Sequence, residues 1–182
     1  LNAAENGARM LDLLNMNVDI NSVDNKGTTA LMSAARRKNA DAIRVLIEFQ
    51  ANVDIGDVHN STALMSSAWG GNIDVVRILI EAQANTQAED DDGNTALILA
   101  SFNGHHDAIQ ALIAARASLE ASDNSGNTSL IWAARNGQSE AVRVLLSANA
   151  NIRAKDDDGN TPFITAIRND HIDIARILVE AQ

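Results

Sequence analysis

The stretch DDDGNTALILASFNGH, residues 90–105, decides the fold, because variants of it recur along the chain. Its threonine, Thr95, belongs to a column of equivalent residues spaced 33 positions apart. That column holds Thr29, Thr62, Thr95, Thr128 and Thr161, and parallel columns hold Leu31, Leu64, Leu97, Leu130 and Phe163, and Leu46, Leu79, Leu112, Leu145 and Leu178. Five successive frames agree without an insertion, which indicates a tandem repeat whose units stack into a solenoid.

Each frame reads as a turn followed by two short helices. In the first full frame, Asp24 caps its own turn and Gly27 supplies a left-handed backbone conformation. Thr29 stands where a helix N-cap is favoured, and Leu46 and Ile47 lie on one face of a second helix. Helices this short are unstable alone, so each must bury its apolar face against the neighbouring unit. The repeated apolar columns are therefore the predicted core.

The motifs within each frame resemble the ankyrin repeat. The family's Gly-x-Thr-Pro-Leu start has counterparts here, and its Gly-His turn between helices is intact at Gly104-His105. The counterparts are Gly27-Thr28-Thr29-Ala30-Leu31, Gly93-Asn94-Thr95-Ala96-Leu97 and Gly159-Asn160-Thr161-Pro162-Phe163. The resemblance covers essentially the whole chain. It implies an all-α ankyrin-repeat solenoid of about six stacked helix-turn-helix units, with about eleven helices and projecting β-turns.

The frames divide the chain, read as a single domain over residues 1–182, into six repeats. Repeat 1 is a partial N-terminal unit at 1–23, for which the short spacing from Gly7 to Leu13 predicts a tightened turn. Repeats 2 to 5 occupy 24–56, 57–89, 90–122 and 123–155, and repeat 6 is the C-terminal unit at 156–182. These repeat numbers are kept throughout.

One departure from the family pattern concerns the end of each second helix, where the family usually has a left-handed glycine. This chain places Gln50, Gln83, Arg116, Asn149 and Gln182 there. A left-handed residue with a side chain costs about 1–2 kcal/mol. We therefore expect either another geometry at these helix ends or a loss of stability at several of them.

Composition narrows the classes of function. The net charge of −10 lacks the basic field that drives binding to nucleic acid and to anionic membranes, so we expect neither. Cysteine is absent, which excludes disulfides, thiolate metal sites and a cysteine nucleophile, and suits an intracellular, cytoplasmic location. An acidic surface favours a protein partner with a basic or mixed basic-apolar segment. We expect a monomer that needs no cofactor.

Catalytic and metal motifs are weak. The segment from Asp90 to Asn94, repeated at Asp156 to Asn160, resembles a calcium loop only superficially, because its glycine is fourth rather than sixth. Its aspartates are predicted to cap turns and to bind no structural metal. His105 and His171 share one position at the inter-helix turn, where the family uses histidine for local hydrogen bonds. No nucleophile or phosphate-loop motif is present, so we expect no catalytic residue.

The candidate binding residues form a column twelve positions after each leading aspartate. It reads Arg36, Trp69, Phe102, Arg135 and Arg168, with Asn103 and Asn136 adjoining. The ankyrin resemblance places this column late in the first helix, on the concave face, beside turn tips that include His59, Asp91, Asp92, Asp157 and Asp158. We expect Trp69 and Phe102 to be apolar anchors, Arg36 and Arg135 to be flanking donors, and the acidic tips to attract basic segments.

Two further expectations concern aromatic side chains. Trp69 and Phe102 could instead pack laterally on each other along the groove. Such packing would not exclude binding of a partner at the same surface. Trp132, two residues after Leu130, is predicted to lie in the core.

The predicted function is a non-catalytic protein-protein interaction scaffold. Three alternatives stay open at this point. One is an engineered or consensus-like ankyrin scaffold without an evolved partner, and another is a substrate-docking fragment of a larger protein. The third is a sensor of small molecules or oligonucleotides, since arginine and aromatic side chains stack on bases.

Overall fold

The computed structural model describes residues 19–181, and this part of the chain contains ten α-helices arranged as five successive pairs. The first helices are α1 (Ala30–Arg36), α3 (Ala63–Trp69), α5 (Ala96–Asn103), α7 (Ser129–Arg135) and α9 (Pro162–Arg168). The second helices are α2 (Ala40–Glu48), α4 (Ile73–Glu81), α6 (His106–Ala114), α8 (Ser139–Ser147) and α10 (Ile172–Glu180). Between residues 19 and 181, β-type pairing is limited to two isolated bridges. The all-α repeat solenoid is thus confirmed, whereas the eleventh helix and the tightened turn of repeat 1 lie outside the described residues.

Each first helix begins directly after its threonine. The hydroxyl of Thr29 accepts a hydrogen bond from the backbone N–H of Met32 at 3.1 Å, and the four equivalent threonines cap their helices in the same way. The leading aspartate holds the preceding turn, since Oδ1 of Asp90 accepts from the N–H groups of Asp92 at 3.0 Å and Asn94 at 2.8 Å. These local bonds satisfy donors that a helix start would otherwise leave unpaired.

The core lies between the two layers of helices. First helices pack against first helices of the adjoining repeats, and second helices do the same. The predicted leucine columns are fully buried in repeats 3 to 5, with Leu79 and Leu112 as central members. Small residues such as Ala100 and Ala133 are also fully buried, and their size lets neighbouring helices approach closely.

Rows of hydrogen bonds join successive repeats at equivalent positions. At the turn tips, the N–H of one tip donates to a carbonyl of the preceding tip, at 2.9–3.1 Å, in the pairs Val58–Lys26, Asp91–His59, Asn124–Asp92 and Asp157–Ser125. Between the helices, Nε2 of His105 bonds to the carbonyl of Trp69 at 3.0 Å, and Nε2 of His171 bonds to the carbonyl of Arg135 at 3.1 Å. Because a carbonyl only accepts, both Nε2 atoms carry the proton. The histidines therefore link adjacent repeats rather than closing their own turn.

The ends of the second helices keep the family's left-handed geometry without its glycine. The φ angles of Gln50, Gln83, Arg116 and Asn149 are 63°, 62°, 62° and 67°. Of the two expected outcomes, the structure therefore shows left-handed residues that carry side chains, which lowers stability at each site. Gln182 lies outside the described residues.

Repeat 6 departs from the predicted core. Phe163 belongs to the buried leucine column, yet 37% of it is exposed, and Ile164 and Ile167 beside it are also exposed. In repeats 3 to 5 the next first helix covers the equivalent positions, and no described residue does so in repeat 6. The prediction that Phe163 is a core residue was wrong, because burial in a stack depends on the neighbour as well as on the side chain.

Candidate functional site

Three aromatic side chains, Trp69, Phe102 and Trp132, form a continuous row along the first helices. We call them the aromatic row. The rings of Trp69 and Phe102 stack with centroids 5.3 Å apart and planes inclined at 30°. The ring of Phe102 meets that of Trp132 at 4.9 Å and 53°. Trp69 and Phe102 therefore do pack laterally, as one expectation had it, and together with Trp132 they present one apolar surface. Trp69 remains 49% exposed.

Trp132 was wrongly predicted to lie in the core. It is half-buried, and its Nε1–H donates to Oδ2 of Asp123 at 2.8 Å. Its ring contacts Phe102 and also the guanidinium of Arg135, whose Cζ lies 4.7 Å from the ring centroid. The sequence held a signal for this position, because the same column contains Ser33 and Ser66 in the earlier repeats.

The two arginines that flank the row are each paired within the chain. Nη2 of Arg36 lies 3.1 Å from Oδ2 of Asp57, and Nη2 of Arg135 lies 3.1 Å from Oδ2 of Asp156. Each arginine thus binds the leading aspartate of the following repeat. Arg168 is exposed and forms no ion pair with any residue between 19 and 181.

The Arg135–Asp156 pair is the more enclosed of the two, because the Asp156 side chain is almost completely buried. Burial opposes ionisation of this carboxyl, but hydrogen bonds from Asn160 and the charge of Arg135 outweigh it. They hold the pKa of Asp156 below its ordinary value of 3.8. The carboxylate is therefore charged at neutral pH and holds Arg135 beside Trp132.

The two adjoining asparagines serve the backbone. Nδ2 of Asn103 donates to the carbonyl of Trp69 at 3.2 Å, and Nδ2 of Asn136 donates to the carbonyl of Trp132 at 3.1 Å. Their amide groups close the ends of first helices and join repeat 4 to repeat 3. They border the aromatic row as supports for its backbone.

The turn tips carry the acidic part of the candidate surface. Asp91, Asp92, Asp157 and Asp158 are all exposed. Asp91 accepts a hydrogen bond from Nδ2 of Asn60 at 2.7 Å, and its Oδ2 lies 3.7 Å from Nδ1 of His59. Since the tips are joined by backbone hydrogen bonds, their carboxylates keep a fixed spacing along the solenoid.

Two cavities border the aromatic row at its ends. One, of about 330 Å³, is lined by Arg36, Met65, Trp69, Asp90 and Leu99, with Ser61 and Ser66. The other, of about 310 Å³, is lined by Trp132, Arg135 and Asp156 to Asp158, with Ser125 and Asn127. Each cavity thus combines an indole ring with an arginine and at least one carboxylate.

Other kinds of site have little support in the described part of the chain. Residues 19–181 contain no cluster of three or more histidine, aspartate or glutamate side chains arranged to hold a metal ion. Over the same residues, every helix is too short or too polar to cross a membrane.

Comparison with known proteins adds a family match. A family model described as ankyrin repeats (3 copies) matches residues 1–90 and 82–156, and one described as ankyrin repeat matches residues 158–182. No curated protein matches the chain.

Proposed function

Because the chain belongs to the ankyrin-repeat family, we propose that it is a non-catalytic scaffold that binds another protein through the aromatic row and the turn tips. Ankyrin repeats are generally protein-protein interaction modules, and proteins built from them are typically non-enzymatic. The finer proposal concerns which surface of this chain binds and what kind of partner it accepts.

The exposed position of Trp69 is the observation that carries the proposal. Its column holds arginine in repeats 2, 5 and 6, so folding of the repeat does not need an aromatic ring there. Trp69 nevertheless stacks on Phe102 and leaves about half of its own surface exposed. Large aromatic side chains bordered by arginine are over-represented where protein interfaces derive most of their binding energy.

The surroundings of the row favour binding by a preformed surface. Backbone hydrogen bonds between the tips, and those from His105 and His171, fix each repeat against the one before it. Binding to this surface then costs less free energy than binding to a mobile one, because the scaffold is already ordered before the partner binds. The proposed binding unit is a monomer, since the row and the tips lie within one chain.

Charge indicates the kind of partner. The chain carries a net charge of −10, and the exposed tips add carboxylates beside the aromatic row. A partner segment with basic and apolar side chains complements this surface. The oligonucleotide alternative loses support, because Arg36 and Arg135 are paired with aspartates and so are poorly placed to neutralise phosphates. The absence of cysteine suits a reducing compartment, so the cytoplasm remains part of the proposal.

The test is a selection of binders from a random-peptide display library, followed by affinity measurements on purified variants. We expect Trp69→Ala to weaken selected peptides by about 2 kcal/mol or more while costing roughly 1 kcal/mol or less of folding stability. Ile172→Ala is the matched control, since Ile172 is an exposed apolar residue away from the row. Equal affinity of all selected peptides for the two variants would overturn the proposal. A salt titration with a short oligonucleotide tests the alternative.

A further inference from the structure

The leading aspartates of successive repeats differ in what binds their second carboxylate oxygen. In repeats 3 and 6, Oδ2 of Asp57 and of Asp156 receives Nη2 of an arginine from the preceding repeat, at 3.1 Å in both cases. The arginine of the second pair also stacks on the ring of Trp132. The chain thus contains its own example of a guanidinium held between an indole ring and a carboxylate.

The aspartates of the two repeats in between have no such arginine, because Trp69 and Phe102 occupy the arginine column. Oδ2 of Asp123 is instead engaged by Nε1–H of Trp132 at 2.8 Å. Oδ2 of Asp90 receives, from the described side chains, only Nδ2 of Asn94 at 3.2 Å. Among the leading aspartates of repeats 3 to 6, Asp90 is therefore the one whose Oδ2 neither an arginine nor an indole engages.

Asp90 lines the cavity of about 330 Å³ together with Trp69, Met65 and Leu99. The carboxylate supplies an acceptor, the exposed indole supplies a face for stacking, and the two apolar side chains accommodate a methylene chain. Arg36 also lines this cavity, but its charge is offset by Asp57, whose carboxylate it binds. The cavity thus offers a further guanidinium a carboxylate and an indole ring, the two kinds of group that contact Arg135, although Trp69 comes from the arginine column and not from the column of Trp132.

We propose that Asp90 and Trp69 form a binding site for an arginine side chain of the protein partner. This inference rests on the proposed scaffold function and specifies one contact within it. The guanidinium of the partner donates to Oδ2 of Asp90 and stacks on Trp69, as Arg135 does with Asp156 and Trp132. Arginine is preferred over lysine, because its planar group both forks onto a carboxylate and stacks on an aromatic face.

The test uses the peptides selected from the random library and changes them first, so that folding of the protein is untouched. We expect arginine to be enriched at one position of the binders. Replacing that arginine with citrulline, which keeps the shape and removes the charge, should weaken binding at least about tenfold, and lysine should restore it only in part. Binders without an enriched arginine would overturn the site.

On the protein side, Asp90→Asn removes the charge but keeps an Oδ1 that accepts the turn's hydrogen bonds from Asp92 and Asn94. It should weaken arginine peptides about tenfold and abolish their preference over citrulline peptides. Asp24→Asn is the control, because Asp24 caps the equivalent turn two repeats away. Trp69→Arg should fill the site from within the chain and also abolish the preference.

The outcomes separate this inference from the proposed function. If Phe102→Ala weakens the peptides but Asp90→Asn leaves their affinity and their arginine preference intact, the scaffold function stands and the arginine site is wrong. If neither variant changes affinity, both proposals fail.

Discussion

Repeats 5 and 6 are built from the same frame, yet corresponding side chains have opposite environments. Ile131 in repeat 5 is 0% exposed, whereas Ile164, at the same position of repeat 6, is 39% exposed. The helices that carry them have the same length and the same threonine cap. The difference shows that the apolar columns stabilise the interfaces between repeats more than the individual repeat, as expected of a quasi-one-dimensional stack.

The two repeats also differ in the size of one side chain. The column of small residues Ala35, Ala68, Ser101 and Ala134 is buried between first helices. Repeat 6 places Ile167 in that column, and 44% of it is exposed. A branched side chain is accommodated there because no described helix packs over it, whereas the interior repeats need a small residue for close approach.

The strongest test of this comparison is a matched pair of truncations. Ile131→Ala should lower the free energy of unfolding by about 2–5 kcal/mol, because it leaves a cavity in a sealed interface. Ile164→Ala should cost less than about 1 kcal/mol, since water already reaches that side chain. Urea denaturation of both variants measures the difference in free energy of unfolding. Similar losses would contradict the claim that these side chains stabilise the protein through the interface with the next repeat.

A second pair tests the small-residue column. Ala134→Ile should destabilise by about 1–3 kcal/mol through overpacking between α7 and its neighbours. The reverse change at the exposed end, Ile167→Ala, should alter stability by about 0.5 kcal/mol or less. Thermal unfolding under the same conditions compares the stability of the two variants. If Ala134→Ile leaves stability unchanged, the interior helices can move apart to admit the larger side chain.

A smaller effect concerns the left-handed helix ends, which interior repeats share. Gln83→Gly should stabilise by about 1 kcal/mol, because φ at this residue is 62° and glycine carries no Cβ penalty there. Asn149→Gly should gain less, since asparagine tolerates the left-handed region better than glutamine. The melting temperatures of the two variants measure these gains in stability. Equal gains would show that the cost of the left-handed conformation is the same for glutamine and asparagine.

The smallest effect is a pH dependence at the interface between repeats 5 and 6. The folded-state pKa of Asp156 lies below 3.8, so its contribution to stability is present above that pH and is lost as the pH falls through the folded pKa. Asp156→Asn should therefore make the decline of unfolding free energy below about pH 4 less steep. Acid titrations of the protein and the variant, followed by circular dichroism, measure the two slopes.

The sequence predicted the repeat frame and the local geometry well. The threonine caps and the turn-holding aspartates depend on contacts within about four residues, so a single frame shows them. The predicted burial of Phe163 and of Trp132 was wrong for a different reason. How far each side chain is buried depends on which repeat lies beside it. The columns themselves carried part of that information, because Ser33 and Ser66 share the column of Trp132.

The pairing of the candidate site residues was also beyond sequence reasoning. Arg36 and Asp57 are 21 residues apart, as are Arg135 and Asp156, and only the stacking of repeats brings them together. The sequence placed Trp69 and Phe102 in one repeat column, and in the structure their rings stack on each other. It did not reveal that the flanking arginines are already engaged or that Asp90 lacks such an arginine.

The row of hydrogen bonds between the tips has a mechanical consequence. Each bond joins one repeat only to the repeat before it, so a load applied along the solenoid acts on these contacts in series. When one interface yields, the released unit of 33 residues extends to about 110 Å, while the remaining stack keeps its contacts. Under tension the protein should therefore lengthen in discrete steps, each of which corresponds to the unfolding of one repeat.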